Sequence, residues 1–418
     1  MTRPDTLGHA NADCRFCGTP LRHVFADLGA TPLANAYLTA DQLTRPEPSY
    51  PLRAYVCEQC FLVQLESMVP PEDIFGDYAY FSSFSSTLLR HSEQFADAIT
   101  ERLGLGPGDR VVEVASNDGY LLQYFARKGL QVQGIEPAAN IASAAEARGI
   151  PTRVQFFGAE VARQLADEAP RPRLIVANNV IAHVPALNDF VEGLEILLAP
   201  GGTVSLECHS LLALVEDGQF DNIYHEHLQY FSLTSLATVL AAHGLEVVDV
   251  EHLSTQGGSL RVLAQRRHEA GTPSPRVAAL RALEAEAGLC RLEGYGAFAV
   301  KMAAARRRLV AFLDGARDAG QAVVCYGAAA KGNTLLNVCE VTADMVDYCV
   351  DRNPRKQGHF LPGSRIPIHP PERVTETKPA FLLILPWNLS AEIVDQMAIV
   401  RTWGGVFVVP LPLLNLFG

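Results

Sequence analysis

This chain is short of basic residues, of long apolar runs and of cysteine, and each shortage removes a class of function. Lys and Arg total 34 against 46 Asp and Glu, a formal net charge of -12. An acidic protein of this kind lacks the basic face that binds phosphate backbones, so nucleic acid is not an expected partner. A small anionic substrate stays compatible, because one pocket can be basic on an acidic protein. No stretch reaches the roughly 20 apolar residues that span a bilayer, and MTRPDTLGHANAD lacks the apolar core of a secretory signal. The expectation is a cytoplasmic protein without a membrane partner. Nine cysteines in 418 residues make no disulfide scaffold.

What is present describes a globular enzyme: 48% hydrophobic and 19% charged residues. A chain this long exceeds the roughly 250 to 300 residues at which single cores stop growing. Two or three domains follow, and three can bury enough surface to stand as a monomer.

Four of the cysteines form two CxxC pairs, Cys14 with Cys17 and Cys57 with Cys60. That spacing lets two thiolates per turn close on one tetrahedral Zn²⁺. The spacer of about 40 residues exceeds that of a simple zinc ribbon, so an insertion must fold between the knuckles. Four thiolates leave no open position, and the metal should fold this segment rather than catalyse. A redox role is disfavoured because neither pair follows a βαβ pattern. The remaining Cys208, Cys290, Cys325, Cys339 and Cys349 read as small buried hydrophobes.

Phe75 to Ser86 is a dense run of aromatic and hydroxyl residues, including Tyr78, Tyr80 and Ser83. It reads as an interdomain connector or, in an enzyme acting on a sugar, as groups that meet hydroxyls and a keto oxygen. A strand, turn and helix follow: Arg110 to Ala115, then Ser116-Asn117-Asp118-Gly119, then Tyr120-Leu121-Leu122. Glycine lets a backbone approach a ligand, and a helix start offers unpaired N–H groups. A second strand ends at Glu136-Pro137, about 20 residues on, where a carboxylate accepts both ribose hydroxyls of a nucleoside. The turn lacks the GxGxxG cradle for a pyrophosphate, which favours S-adenosylmethionine (SAM) over NAD. Its expected contacts are Glu113, Ser116, Asn117, Gly119, Glu136 and Pro137, joined by Asn179 and His183 at the carboxyl end of strand 173–179.

Further strands at 201–207, 245–250 and 259–264 complete an α/β domain of class I methyltransferase (Rossmann-like) type. Two helices are expected between about 275 and 320, broken near Gly294-Tyr295-Gly296. A second Rossmann-like α/β domain then opens with strand 322–326, the small-residue loop Gly327 to Ala330, and Lys331-Gly332-Asn333-Thr334 at a helix start. That loop is no Walker A sequence, yet it has the make-up of an anion site. Strands are expected at 345–351, 381–385 and 405–409. The expected domains are a zinc-binding module at 1–75, a methyltransferase domain at 76–275 and a C-terminal α/β domain with its leading helices at 276–418.

The chemistry concentrates in Tyr224-His225-Glu226-His227. A phenol, a carboxylate and imidazoles in four positions offer proton transfer near neutral pH. On an extended strand Glu226 would point away from both histidines, so convergence of Tyr224, Glu226 and His227 requires a loop. A hydrogen-bonded structural loop, or a second metal on His225 and His227, are the other readings. A methyl donor beside a base points to methylation at carbon.

Taken in order, the CxxC pairs, GDYAYFSSFSS, EVASNDGYLL, GIEP, NNVIAHVP, NIYHEHLQYFS, YGAAAKGNTLLN and VDRNPRKQGHFLPGSRIPI resemble the zinc-containing C-methyltransferases of deoxysugar and antibiotic biosynthesis. That family includes C-3′-methyltransferases of dTDP-linked 4-keto sugars. The resemblance covers nearly the whole chain. It implies SAM as donor, a structural Zn²⁺, and a dTDP-4-keto-deoxysugar held between the middle and C-terminal domains. It implies His227 as base, Tyr224 and Glu226 in the same pocket, and Tyr78 or Tyr80 opposite. Ser83, His225, Gly327, Lys331, Asn333 and Arg352 are the expected substrate contacts. Added ketoreductase activity, or binding of SAM and nucleotide-sugar without turnover, are the alternatives.

Overall fold

The computed structural model describes residues 12–66 and 81–418, so Tyr78 and Tyr80 lie outside the described residues. Between the CxxC pairs the chain folds as β1 (His23–Thr31), a 3-10 turn at Ala40–Thr44 and β2 (Tyr50–Val56); β3 (Val63–Leu65) follows the second pair. β1, β2 and β3 pair antiparallel in that order. The fourth strand of this sheet is β9 (Gln229–Tyr230), which arrives from the YHEH region and pairs antiparallel with β3. All three residues of β3 are buried, as a strand covered on both faces must be.

The central sheet contains β4 (Arg110–Val114), β5 (Gln131–Ile135), β6 (Thr152–Arg153), β7 (Leu174–Asn178), β8 (Thr203–His209), β10 (Leu245–Leu253) and β11 (Ser259–Arg266). Their order is β10-β11-β8-β7-β4-β5-β6. Neighbours are parallel except β11, which runs antiparallel to both β8 and β10. β4 is buried throughout, and Leu174 to Ala177 of β7 likewise, which explains the unbroken apolar run of β7, while β4 carries Arg110 and Glu113 into the buried sheet. The strand order reverses at β4, between β5 and β7, and ligands bind at the carboxyl ends beside such a switch.

Helices Pro275–Glu286 and Ala297–Asp318 follow, separated by a 3-10 turn at Leu292–Tyr295. The longer one packs on the zinc module: Phe298 stacks on Phe25 at 4.5 Å, and Tyr295 Oη donates to the carbonyls of Leu289 and Phe61. The last sheet has β12 (Val323–Tyr326), β13 (Cys349–Val350), β14 (Ile368–His369), β15 (Phe381–Ile384), β16 (Val406–Val409) and β17 (Asn415–Phe417), in the order β14-β13-β12-β15-β16-β17. Only β17 is antiparallel to its neighbour. The strand expected over 345–351 is just two residues long, because the N–H groups of Met345 and Val346 turn back to Thr342 O. No helix among the described residues is long and apolar enough to cross a membrane.

Candidate active site

Phe220–Asn222 forms a 3-10 turn, and the chain then enters a loop in which His227 N–H donates to Tyr224 O at 2.9 Å. This turn folds the phenol back onto the imidazole, with Tyr224 Oη 2.8 Å from His227 Nε2. His227 Nδ1 lies 2.8 Å from Asn222 O. A carbonyl oxygen can only accept, so Nδ1 carries the proton and Nε2 keeps its lone pair, accepting from the Tyr224 hydroxyl. The His183 ring lies 4.9 Å from that of His227, edge-on. Burial, with His183 close by, holds His227 well below the usual imidazole range, and burial lowers His183 to about 4. Both rings are neutral at pH 7, and His227 and Tyr224 are only half-buried.

The other two members of the tetrapeptide face elsewhere. Glu226 is buried, and its Oε1 accepts from Asn35 Nδ2 at 2.6 Å, from the zinc module. Burial pushes its carboxyl up to about 7, opposed by Asn35 and by Lys356. His225 does not join the site: its Nε2 lies 3.3 Å from the carbonyls of Tyr50 and Pro51, and its ring meets Tyr50 edge-on. Successive side chains of the turn diverge, so His225 serves the docking of β2 rather than a substrate. Nor do His225 and His227 share a metal; among the described residues the four paired cysteines are the sole group with ligand geometry.

At the switch point the backbone after β4 is left-handed at Ala115 (φ 56), Asn117 (φ 48) and Gly119 (φ 76). Glu136, buried just past β5 and followed by Pro137, accepts from the N–H groups of Asn117 and Ala138. Ser116 Oγ and Glu113 Oε2 are buried without a hydrogen-bond partner among the described residues. Burial raises the Glu113 carboxyl well above its ordinary value. A left-handed turn beside a buried acid and orphaned acceptors fits a nucleoside carrying hydroxyl and ammonium donors. Asn179, also left-handed (φ 54), follows β7 at the same sheet edge, and the 3-10 turn Ile181–His183 brings His183 from there to His227. Ser83 lies on this side rather than beside His227: its Oγ donates to Asp118 Oδ2 at 2.5 Å, and Arg148 pairs with the same carboxylate.

The four paired sulfurs lie within 4.8 Å of one another, with Cys17–Cys57, Cys14–Cys60 and Cys17–Cys60 at 3.5, 3.6 and 3.8 Å. A tetrahedral site with Zn–S bonds near 2.3 Å has edges of about 3.8 Å, so the donor set fits zinc. Gly18 (φ 72) and Phe61 (φ 59) return their N–H groups to Cys14 O and Cys57 O, giving the two knuckles matching turns. Of the other cysteines, Cys290 is exposed rather than buried.

The residues expected to hold an anion in the C-terminal domain are spent on tethers. Lys331 Nζ donates to Gln256 O at 2.8 Å and lies 5.7 Å over Trp387. Trp387 Nε1 in turn donates to Asp221 Oδ2 at 2.6 Å, next to the Asn222 that fixes His227. Asn333 Nδ2 donates to Ala34 O at 2.5 Å. A Cβ on Gly327 (φ 90) would meet Pro386 at 2.6 Å, so this glycine admits a neighbouring loop. Arg352 is exposed. The lysine that acts on Glu226 is instead Lys356, whose Nζ donates to Ala328 O, as does Tyr37 Oη, each at 2.6 Å. Sequence reasoning missed Asn35, Tyr37, Asn222 and Lys356; Asn222 and Lys356 carried a signal, their places in the NIYHEHLQYFS and VDRNPRKQGHF segments.

Three family descriptions match consecutive parts of the chain: a zinc binding domain at 14–75, a methyltransferase domain at 88–250 and a C-methyltransferase C-terminal domain at 254–412. C-methyltransferase NovU of Streptomyces niveus is 36% identical over 400 residues, covering 96% of this chain and 95% of NovU. The chain belongs to the C-methyltransferase family. Its cofactors are SAM and a zinc ion, the latter fitted by the donor set of Cys14, Cys17, Cys57 and Cys60. This C-methyltransferase also matches a ubiquinone biosynthesis O-methyltransferase of Burkholderia thailandensis, 25% identical over 160 residues, 35% of this chain and 69% of that one. A structure of magnesium protoporphyrin IX methyltransferase from Synechocystis with bound SAM is 16% identical, with a TM-score of 0.34, over 47% of this chain and 88% of its own.

Proposed function

We propose that this C-methyltransferase moves the SAM methyl to C3 of a dTDP-linked 4-keto-deoxysugar, held between the central and C-terminal domains. The observation that carries the reading is the imidazole of His227, fixed by Asn222 O as the tautomer whose Nε2 lone pair is basic. A ketone at C4 makes the C3 hydrogen acidic, and an enolate carbon is the nucleophile that a carbon methylation needs. Bound SAM supplies an electrophilic methyl group. His227 Nε2 takes the C3 proton. Its depressed proton affinity keeps it free at pH 7, and the negative charge growing on the enolate raises that affinity as the proton arrives.

Tyr224 caps the base in the resting enzyme. Entry of the ketone turns its hydroxyl from Nε2 to the C4 oxygen, so one movement bares the base and supplies the oxyanion donor. Glu226, buried and tied to Asn35, holds a polar group of the sugar from the zinc-module side.

The test is incubation of labelled SAM with a panel of dTDP-4-keto-6-deoxysugars and NMR of the products, with His227→Ala in parallel. A label on C3 in the wild type, reduced about 10²-fold or more in the variant with SAM affinity retained, is the expected result. An unchanged variant rate would remove His227 from the mechanism, and no transfer across the panel would remove this acceptor class.

A further inference from the structure

The catalytic loop leaves His227 and enters a strand of the zinc module's sheet within two residues. Leu228, directly after His227, is held on both sides: its N–H donates to Ala182 O at 2.7 Å, and its carbonyl accepts from Leu65 N–H at 2.8 Å. A second donor reaches the same place from inside the first knuckle. Arg15, between the zinc ligands Cys14 and Cys17, sends Nη1 to Leu65 O at 2.5 Å and to Leu228 O at 3.3 Å.

Arg15 is itself fixed at its backbone. Its N–H donates to Gln64 Oε1 at 2.9 Å, while Gln64 Nε2 donates to Cys14 Sγ at 3.1 Å, so one β3 side chain spans the knuckle and a zinc ligand. Asn188 Nδ2 donates to Phe16 O from the central domain. The guanidinium is half-buried, and no carboxylate is hydrogen-bonded to it among the described residues; its side-chain hydrogen bonds go to main-chain carbonyls of β3 and of the residue after the base. A surface arginine has no reason to be placed so. A planar donor bridging two carbonyls on adjoining strands sets their register.

We propose that Arg15 is a positioning residue that carries the geometry of the zinc knuckle to His227, so that the zinc module sets the efficiency of proton removal rather than the binding of SAM. The proposal rests on His227 acting as base. Loss of the guanidinium frees the Leu65–Leu228 pairing, and a base displaced by about 1 Å loses on the order of 10²-fold in rate. SAM, in the β4–β5 crevice, does not sense the change.

The experiment compares wild type, Arg15→Met, Arg15→Lys and His227→Ala as full-length holoprotein. Zinc content, SAM affinity by calorimetry, kcat and KM, and the His227 ring ¹⁵N signals are read on each. Arg15→Met is expected to keep its zinc and its SAM affinity, to lose about 10- to 100-fold in kcat, and to show a shifted or mixed His227 tautomer. Arg15→Lys, which keeps one donor, should recover part of the rate. An Arg15→Met enzyme that retains zinc and turns over within twofold of wild type overturns the proposal, as does an unmoved His227 ring signal. If Arg15→Met loses zinc, Arg15→Lys decides: full zinc with a wild-type rate and ring signal also overturns it. His227→Ala separates the two claims, since an active His227→Ala protein removes the base itself.

Discussion

His227 and its chain neighbour Glu226 are perturbed by one cause, burial, with opposite consequences for stability. Burial lowers imidazoles and raises carboxyls because both forms favoured are neutral. The Glu226 carboxyl rises to about 7 in the folded protein, above the ordinary 4.5. Its contribution to stability is therefore fully present below pH 4.5 and is lost as pH climbs through 7, by up to about 3 kcal/mol at roughly 1.4 kcal/mol per unit. His183 runs the other way: lowered to about 4, it stabilises above pH 6.5 and loses that contribution as pH falls through 4. Glu226→Gln keeps an acceptor for Asn35 and removes the carboxyl titration alone. Urea unfolding of wild type and variant should differ little near pH 5 and diverge in the variant's favour by pH 8. Parallel curves across that range would show that Glu226 is not held neutral by its surroundings. The tetrapeptide was legible as proton-transfer chemistry because residue types alone reveal it. The choice of His227 as base came with the resemblance, while the tautomer was illegible, since a main-chain carbonyl, Asn222 O, sets it.

At the level of elements, what the sequence disclosed was local and what it concealed was distant. The CxxC turns, the β4 turn and the acid at the end of β5 are each built within a few residues, so spacing and residue type suffice to find them. The strand Gln229–Tyr230 is two residues long and pairs with the distant Val63 and Gln64 of the zinc module, with no periodicity to betray it. Lys331 and Asn333 misled for a related reason: a lysine and an amide at a helix start look the same whether they meet a phosphate or a neighbouring domain's carbonyl. The β4 turn allows a direct test of local necessity. Gly119 sits at φ 76, and a Cβ there would meet Ile150 Cγ1 at 2.9 Å. Ala115 already occupies the left-handed region in the same turn, so little tolerance remains. Gly119→Ala should cost at least about 1–2 kcal/mol from backbone strain alone. Because the strained residue shapes the turn proposed to hold SAM, part of that cost should appear as weaker SAM binding by calorimetry. Unaltered melting and SAM affinity together would mean that the turn relaxes freely, and that its shape is not what selects the cofactor.

Over the whole molecule, the zinc module, the central domain and the C-terminal domain come together beside the proposed acceptor site. The zinc-module segment 34–37 is its hub: Ala34 O accepts from Asn333, Asn35 holds Glu226, and Tyr37 Oη joins Lys356 on Ala328 O. Polar contacts of this kind orient domains more than they stabilise them, since a net hydrogen bond is worth about 1 kcal/mol while a buried orphan costs about 1–3. Asn333 is fully buried, and its amide is the C-terminal domain's direct grip on the segment carrying Asn35. In Asn333→Ala the carbonyl of Ala34 loses its donor, the segment can shift, and Glu226 loses its fixed partner. The β4–β5 crevice proposed for SAM lies within the central sheet, away from these contacts. Steady-state rates with each substrate varied in turn should therefore show the acceptor KM rising several-fold while SAM affinity holds, with kcat falling less than in the Arg15 and His227 variants. An equal loss for both substrates would place the damage in the fold as a whole, and an unaffected acceptor KM would mean that the acceptor pocket does not depend on how the zinc module and the C-terminal domain are held together.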